Sequence, residues 1–531
     1  AGGSNPDEHR VQVPRGDRQD RSEAAVRPGC GREEDLRARR ELHLPSEQTG
    51  AADREPDGRA RAVVRRRGGD PAGGADPAFD DTDWDVVRVP HDWAISGPFD
   101  RGNDLQRQTI VEDGEHKASD HTGRTGGLPH VGVAWYRRKL RIPASARDRR
   151  VFIEFDGVMS HSTVYLNGTE IGSWPFGYAS FCFELTDDAV PGAENILAVR
   201  VDNPPCASRW YPGAGIFRNV RIVLVHPVHV AHWGTTVTTP AVTDDRATSS
   251  MRADLRNQSG TRVDVRLDTY LFDPDGNSQA SDVTSVTSDA QMAVEQEFTV
   301  PRPRLWGLAE RNLYTAVSQV IVDGEVVDRY ETPFGIRSLE FTPNDGFYLN
   351  GKRVSLKGVC MHHDLGALGT AVNRRALERQ IEILQDMGCN AIRTSHNPPA
   401  PELLDLCDRM GMLVMDEAFD EWRMGKVDNG YHTLFENWAE KDLRALIRRD
   451  RNHPSVVMWS IGNEIGEQRD PDGARVARFL TEICHEEDPT RPVTAGFNNS
   501  MAAIENGLAD YVDIPGWNYK PHEYRLHREE H

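Results

Sequence analysis

The sequence predicts a multidomain chain in which two β-sandwiches precede an incomplete (β/α)8 TIM barrel. Three observations carry that expectation. A chain of 531 residues exceeds what one core usually holds. Before Phe334, strand-like runs recur at short spacing with no long helical pattern. From Phe334 onward, short apolar β-rich runs alternate with helical stretches, the rhythm of parallel β/α units.

Residues 1–75 read differently from the rest. They contain no Phe, Trp, Tyr or Lys and carry 15 Arg against 14 Asp plus Glu. Without large apolar side chains nothing offsets chain entropy, so this segment is expected to be disordered. Arg without Lys also fits GC-rich DNA translated out of frame. A basic arm for nucleic acid is the functional alternative, but the charges nearly cancel.

Residues 76–225 form the first β-rich unit. Runs such as Ala134-Trp135-Tyr136, Val151-Phe152-Ile153-Glu154-Phe155, Ser162-Thr163-Val164-Tyr165-Leu166 and Ile196-Leu197-Ala198-Val199 read as strands, and Asn167-Gly168 is a hairpin turn. Core packing is the plain reading of each aromatic here. Residues 226–332 form a second such unit, with Val263-Asp264-Val265-Arg266-Leu267 alternating and nothing in it suggesting chemistry.

Residues 333–531 carry six strand-like runs, at 356–361, 390–394, 413–416, 456–461, 493–496 and 511–514, with helical patterns such as 374–387 between them. A closed barrel needs eight strands. The run Val456-Val457-Met458-Trp459-Ser460-Ile461 is unbroken and apolar, as a strand buried on both faces should be, and it ends on Gly462-Asn463-Glu464. Polar groups also follow the other strands: His362-His363-Asp364, Ser395-His396-Asn397, Asp416-Glu417 through Asp420-Glu421-Trp422, and Trp517-Asn518-Tyr519. One such group is usually a structural hydrogen-bonder. Five clusters at strand ends converge in one mouth and read as a ligand site.

The runs Gly358-Val359-Cys360-Met361-His362-His363-Asp364, Asn390-Ala391-Ile392-Arg393-Thr394-Ser395-His396-Asn397-Pro398, Asp416-Glu417-Ala418-Phe419-Asp420-Glu421-Trp422 and Ile461-Gly462-Asn463-Glu464 resemble glycoside hydrolase family 2, in its β-galactosidase branch. The resemblance implies a sugar-binding jelly roll for 76–225 and an immunoglobulin-like spacer for 226–332. It implies a retaining exo-hydrolase of terminal β-D-galactosides, with β-glucuronidase or a non-catalytic carbohydrate-binding protein as alternatives. It makes Glu464 the general acid/base, gives Asn463 the sugar 2-hydroxyl, His362 and His396 other hydroxyls, Arg393 the support of the nucleophile, and sets Tyr519 near it. Glu421 joins the substrate-binding candidates. The nucleophilic Glu is implied beyond residue 531, so the chain as it stands is expected to be inactive and poorly soluble, with unpaired barrel edges.

Two departures stand out. Magnesium-dependent members place a histidine two residues after the position of Glu421, where this chain has Arg423; no metal and no cofactor are therefore expected. Some members contact sugar with an Asp just before the loop Trp, where this chain has Ser208-Arg209 before Trp210.

A formal charge of −20 argues against nucleic acid or an anionic membrane as partner. No apolar run reaches the ~18 residues of a membrane helix. Seven scattered cysteines without metal-like spacing suggest reduced thiols and a cytoplasmic location. The expected partner is a carbohydrate; homo-oligomerisation of the full-length protein is left open.

Overall fold

The computed structural model describes residues 60–65, 70–103, 108–112, 115–119, 124–129 and 131–530. The first unit packs a six-stranded antiparallel sheet against a three-stranded one. The larger sheet runs Asp85–Val89, Ala60–Arg65, Gly132–Arg141, Glu194–Asn203, Ser162–Leu166, Thr169–Trp174; the smaller runs Val220–Val225, Arg150–Phe155, Phe181–Glu184. Arg150–Phe155 and Ser162–Leu166 bury alternate side chains, and Ile153, Phe155, Val164 and Leu166 meet in one core.

Ala60–Arg65 corrects the expected end of disorder at residue 75. Val64 is fully buried, paired with Tyr136 on one side and Asp85 on the other. Asp70 continues the attachment, accepting from Trp135 Nε1 at 2.7 Å and from Arg200 Nε at 2.8 Å. Six residues, Ala60-Arg61-Ala62-Val63-Val64-Arg65, suffice when sheet partners wait on both sides. The expectations of disorder and of a frame error for residues 1–59 lie outside the described residues.

The second unit is a sandwich of a three-stranded sheet (Val228–Val242, Arg246–Asn257, Gln291–Pro301) and a four-stranded one (Ser278–Ser288, Val263–Phe272, Tyr314–Val322, Glu325–Phe334), closed over Leu255, Leu267, Leu271, Phe298 and Phe334.

The third unit is an incomplete TIM barrel: a parallel sheet of six strands in sequence order, Gly358–Met361, Ala391–Thr394, Leu413–Glu417, Val456–Asn463, Val493–Phe497 and Ile514–Trp517. Helices Arg374–Asp386, Pro401–Met410, Phe435–Asp450 and Gly473–Glu487 cross between the first five strands. Every residue of Val456–Asn463 is buried. The sixth strand starts three residues later than the sequence suggests, because Leu508–Tyr511 coils into a 3-10 turn. Asp513 is drawn off to accept from the Val493 amide at 2.7 Å, and pairing begins at Ile514.

Buried polar anchors join the jelly roll to the barrel. Asp92 accepts from Tyr211 at 2.6 Å and from the Thr370 amide at 3.0 Å. Arg218 donates across to the Pro398 carbonyl at 2.7 Å while holding the Tyr178 carbonyl of its own unit at 2.8 Å. Trp174 Nε1 donates to Asp442 at 2.8 Å. The second sandwich is tied on by Asn452, which accepts from the Val237 amide at 2.8 Å and donates to the Thr235 carbonyl at 2.9 Å. Among the described residues, no helix is long and apolar enough to cross a membrane.

Candidate active site

The fourth barrel strand sets the site. Its next-to-last residue is Gly462, whose missing side chain leaves room for the indole of Trp422; a Cβ there would lie 2.9 Å from Trp422 Nε1. That nitrogen donates to the Ile461 carbonyl at 2.7 Å and holds the strand end in place. Glu464 then turns out of the strand at φ 48°, in the left-handed region that side chains avoid, with its amide bonded to the Gly496 carbonyl at 2.7 Å. Its Oε1 accepts from Asn518 Nδ2 at 2.8 Å. Tyr519 is also left-handed, at φ 66°. Most of its ring is exposed, but desolvation at the hydroxyl end and the facing Glu464 carboxylate push it up to about 12.

Asn463 has a fixed amide orientation. Its Oδ1 accepts from Arg393 Nη2 at 3.0 Å and its Nδ2 donates to Asp420 Oδ1 at 2.9 Å. Arg can only donate and an ionised Asp can only accept, so the amide cannot be turned round, and one N–H remains to be offered. Arg393 also donates through Nε to Glu417 Oε2 at 2.7 Å, while His396 Nδ1 meets Glu417 Oε1 at 2.5 Å and Ser460 donates to Oε2 at 2.6 Å. Burial alone would raise the Glu417 carboxyl, but Arg393 and His396 outweigh it and hold it below its usual range. Glu417 is fully buried and orients its neighbours without reaching the mouth.

A loop of the jelly roll completes the mouth. Trp210 lies against His362, ring centres 4.4 Å apart, and His396, 5.0 Å. Burial and His396 push His362 down to about 4, so it is a neutral hydrogen-bonding group. Arg209 stacks on Trp210 at 4.2 Å and grips Asp420 with two nitrogens, at 2.6 and 2.8 Å. Lys426 Nζ donates to Asp420 Oδ1 at 3.0 Å and to the Asn463 carbonyl at 2.6 Å.

The structure thus gathers Glu464, Asn463, Arg393, His396, His362 and Tyr519 into one mouth. Glu421 is turned away from it. Its buried carboxylate accepts from the Lys426 amide at 2.6 Å and from the His432 amide and ring at 3.0 Å, shaping the loop behind the site. Arg423 pairs outward with Asp472 and Glu436. With its oxygens so occupied and an arginine two residues on, the Glu421 position does not fit a magnesium ion, and no step is routed through one. Sequence reasoning gave no role to Asp420, Lys426, Arg209 or Asn518. Asp420 and Asn518 follow barrel strands and Arg209 marks a departure from the family pattern, whereas Lys426 carries no signal beyond its loop position.

The described residues thus form an incomplete parallel β/α barrel whose polar mouth is roofed by a jelly-roll loop. Family models agree: residues 342–514 match the TIM barrel domain of the glycosyl hydrolases family 2, and residues 228–337 match a further domain described as glycosyl hydrolases family 2. The chain belongs to glycoside hydrolase family 2. It is 42% identical over 485 residues to the β-galactosidase BoGH2A of Bacteroides ovatus, covering 85% of this chain and 55% of that protein. It is 29% identical over 384 residues to a β-glucuronidase of Bacteroides fragilis, covering 69% of this chain and 55% of that one. Among solved structures, a family 2 member from Bacteroides cellulosilyticus matches with a TM-score of 0.82 at 36% identity, covering 89% of this chain and 59% of that chain. A Bacteroides uniformis β-glucuronidase matches with a TM-score of 0.73 at 27% identity, covering 87% and 55%. The chain spans about half the length of these two curated relatives.

Proposed function

We propose a retaining exo-glycoside hydrolase acting on terminal β-D-galactosides, with Glu464 as its general acid/base. The observation that carries this reading is the setting of Glu464: a carboxyl at a barrel strand end, aimed by Asn518 and a left-handed backbone, beside an Asn463 amide locked with one N–H to spare. Retaining cleavage needs one carboxylic acid to protonate the leaving oxygen while a second carboxylate, ~5 Å away, attacks the anomeric carbon. Glu464, now ionised, then takes a proton from the water that releases the sugar. By the family resemblance the second carboxylate follows a later barrel strand, and no residue of this sequence is assigned to it. Asn463 offers its spare N–H to the sugar 2-hydroxyl, and neutral His362 with His396 offers contacts to others. Arg393 keeps Asn463 and Glu417 in register. In the alternative reading, favoured by the glucuronidase relatives, the same machinery meets a uronic acid.

The test is turnover of nitrophenyl β-galactoside and β-glucuronide by the full-length enzyme. A dominant kcat/KM for galactoside is expected. A dominant glucuronide rate would replace the substrate, and turnover of neither would remove the hydrolase.

A further inference from the structure

We propose that Asp420 is a specificity-determining residue that accepts a hydrogen bond from one hydroxyl of the bound sugar, and that Arg209 of the jelly-roll loop is the residue that positions it. The inference rests on the glycosidase reading above and adds a contact to it. The argument is a count of lone pairs. Oδ1 of Asp420 receives three donors: Arg209 Nη2 at 2.6 Å, Asn463 Nδ2 at 2.9 Å and Lys426 Nζ at 3.0 Å. That oxygen is saturated. Oδ2 receives, among the described residues, only Arg209 Nε at 2.8 Å. A carboxylate oxygen commonly accepts two hydrogen bonds, so Oδ2 has one acceptor position left.

Position and charge agree with this use of the second oxygen. The side chain is 14% exposed, so it reaches the mouth without being open to bulk water. It bonds the amide of Asn463, the residue immediately before Glu464. Burial would favour the neutral acid, yet Lys426 and Arg209 outweigh it and hold the carboxyl well below the usual range. Asp420 is therefore an acceptor at any working pH. Sugars present hydroxyl donors, and a fixed, partly desolvated carboxylate discriminates strongly against a ligand that lacks the matching donor. Arg209 makes both its planar bonds to Asp420 while its guanidinium lies on Trp210, so the acceptor's angle is set from the other unit.

The experiment is a cycle between residue and substrate in the full-length enzyme. The kcat/KM values of nitrophenyl β-galactoside and its 2-, 3-, 4- and 6-deoxy analogues are measured for wild type, Asp420→Asn and Asp420→Glu, with melting temperatures alongside. Wild type should show a penalty of roughly 10- to 150-fold at one deoxy position that Asp420→Asn largely abolishes, the other positions keeping theirs. Asp420→Glu retains the charge but moves the acceptor, and should show the same selective loss if the Asn variant does not fold. Arg209→Lys should keep the affected position and raise KM more than it lowers kcat. An unchanged penalty profile in a folded Asp420 variant overturns the proposal while leaving the hydrolase reading intact. Absence of turnover of any β-glycoside by wild type overturns both.

Discussion

Arg393 shows how far one side chain can carry a site. Its guanidinium bonds Glu417 and Asn463 at once, at 2.7 and 3.0 Å. Arg393→Met should leave the Glu417 charge buried with only His396 and Ser460 as side-chain partners, a loss of about 3–5 kcal/mol. Denaturant unfolding measures this; a loss under ~1 kcal/mol would mean that water replaces the guanidinium. Glu464→Gln should lower hydrolysis of an unactivated galactoside by about 10²–10⁴-fold and reduce the first step with an activated aryl galactoside far less, since that leaving group needs little protonation. Equal losses on both substrates would take Glu464 out of the acid role. Residues next to strand ends were legible in the sequence because a parallel strand exports its following residues to one mouth. Arg209 had no such route, since it reaches Asp420 across 211 positions of sequence.

Among the strands, Val456–Asn463 was legible because burial on both faces leaves an unbroken apolar run. The sixth strand was misplaced because Tyr511-Val512-Asp513-Ile514 has strand-like residues, whereas Asp513 serves the Val493 amide instead of the ladder. Ala60–Arg65 was missed because its Arg content resembles that of the segment before it, and only its two neighbours reveal a strand. The loop that carries Trp210 depends on Gly213, at φ +70°, where a Cβ would run into the Thr370 hydroxyl. Gly213→Ala should cost about 1–3 kcal/mol and weaken sugar binding, because the loop must lift from the barrel; unchanged melting and affinity would show that the contact yields freely. Helix Phe435–Asp450 places Asp442 against Trp174 and Tyr431, at 2.8 and 2.6 Å. Burial raises this carboxyl to about 7, above its ordinary value near 3.8, although both hydrogen bonds pull the other way. The folded chain thus holds a proton there that the unfolded chain releases. Its contribution is full below about pH 4 and is lost as pH rises through about 7. The melting-temperature advantage of wild type over Asp442→Asn should shrink across that interval; parallel curves would show that Asp442 does not titrate there.

For the molecule as a whole, the seam between jelly roll and barrel is built from buried polar anchors that lose their partners if the two separate. Arg218 of the jelly roll crosses the seam to the Pro398 carbonyl and also holds the Tyr178 and Asp156 carbonyls of its own unit. Calorimetry of the full-length protein should therefore show jelly roll and barrel melting together. Arg218→Met should split off an earlier transition, because each stranded carbonyl carries a penalty of about 1–3 kcal/mol. A separate jelly-roll transition already present in wild type would mean that the seam is weak.

The grip of Arg209 on Asp420 has a consequence for how affinity is distributed. The hand that steadies the pocket belongs to a different unit from the one that performs the chemistry. Linkage is reciprocal: whatever factor the docked loop adds to ligand affinity, the ligand returns to the docking equilibrium. A bound sugar is then a clasp between the two units, and a change on the far side of the sandwich that loosens their embrace will be felt as weaker recognition by a pocket it never touches.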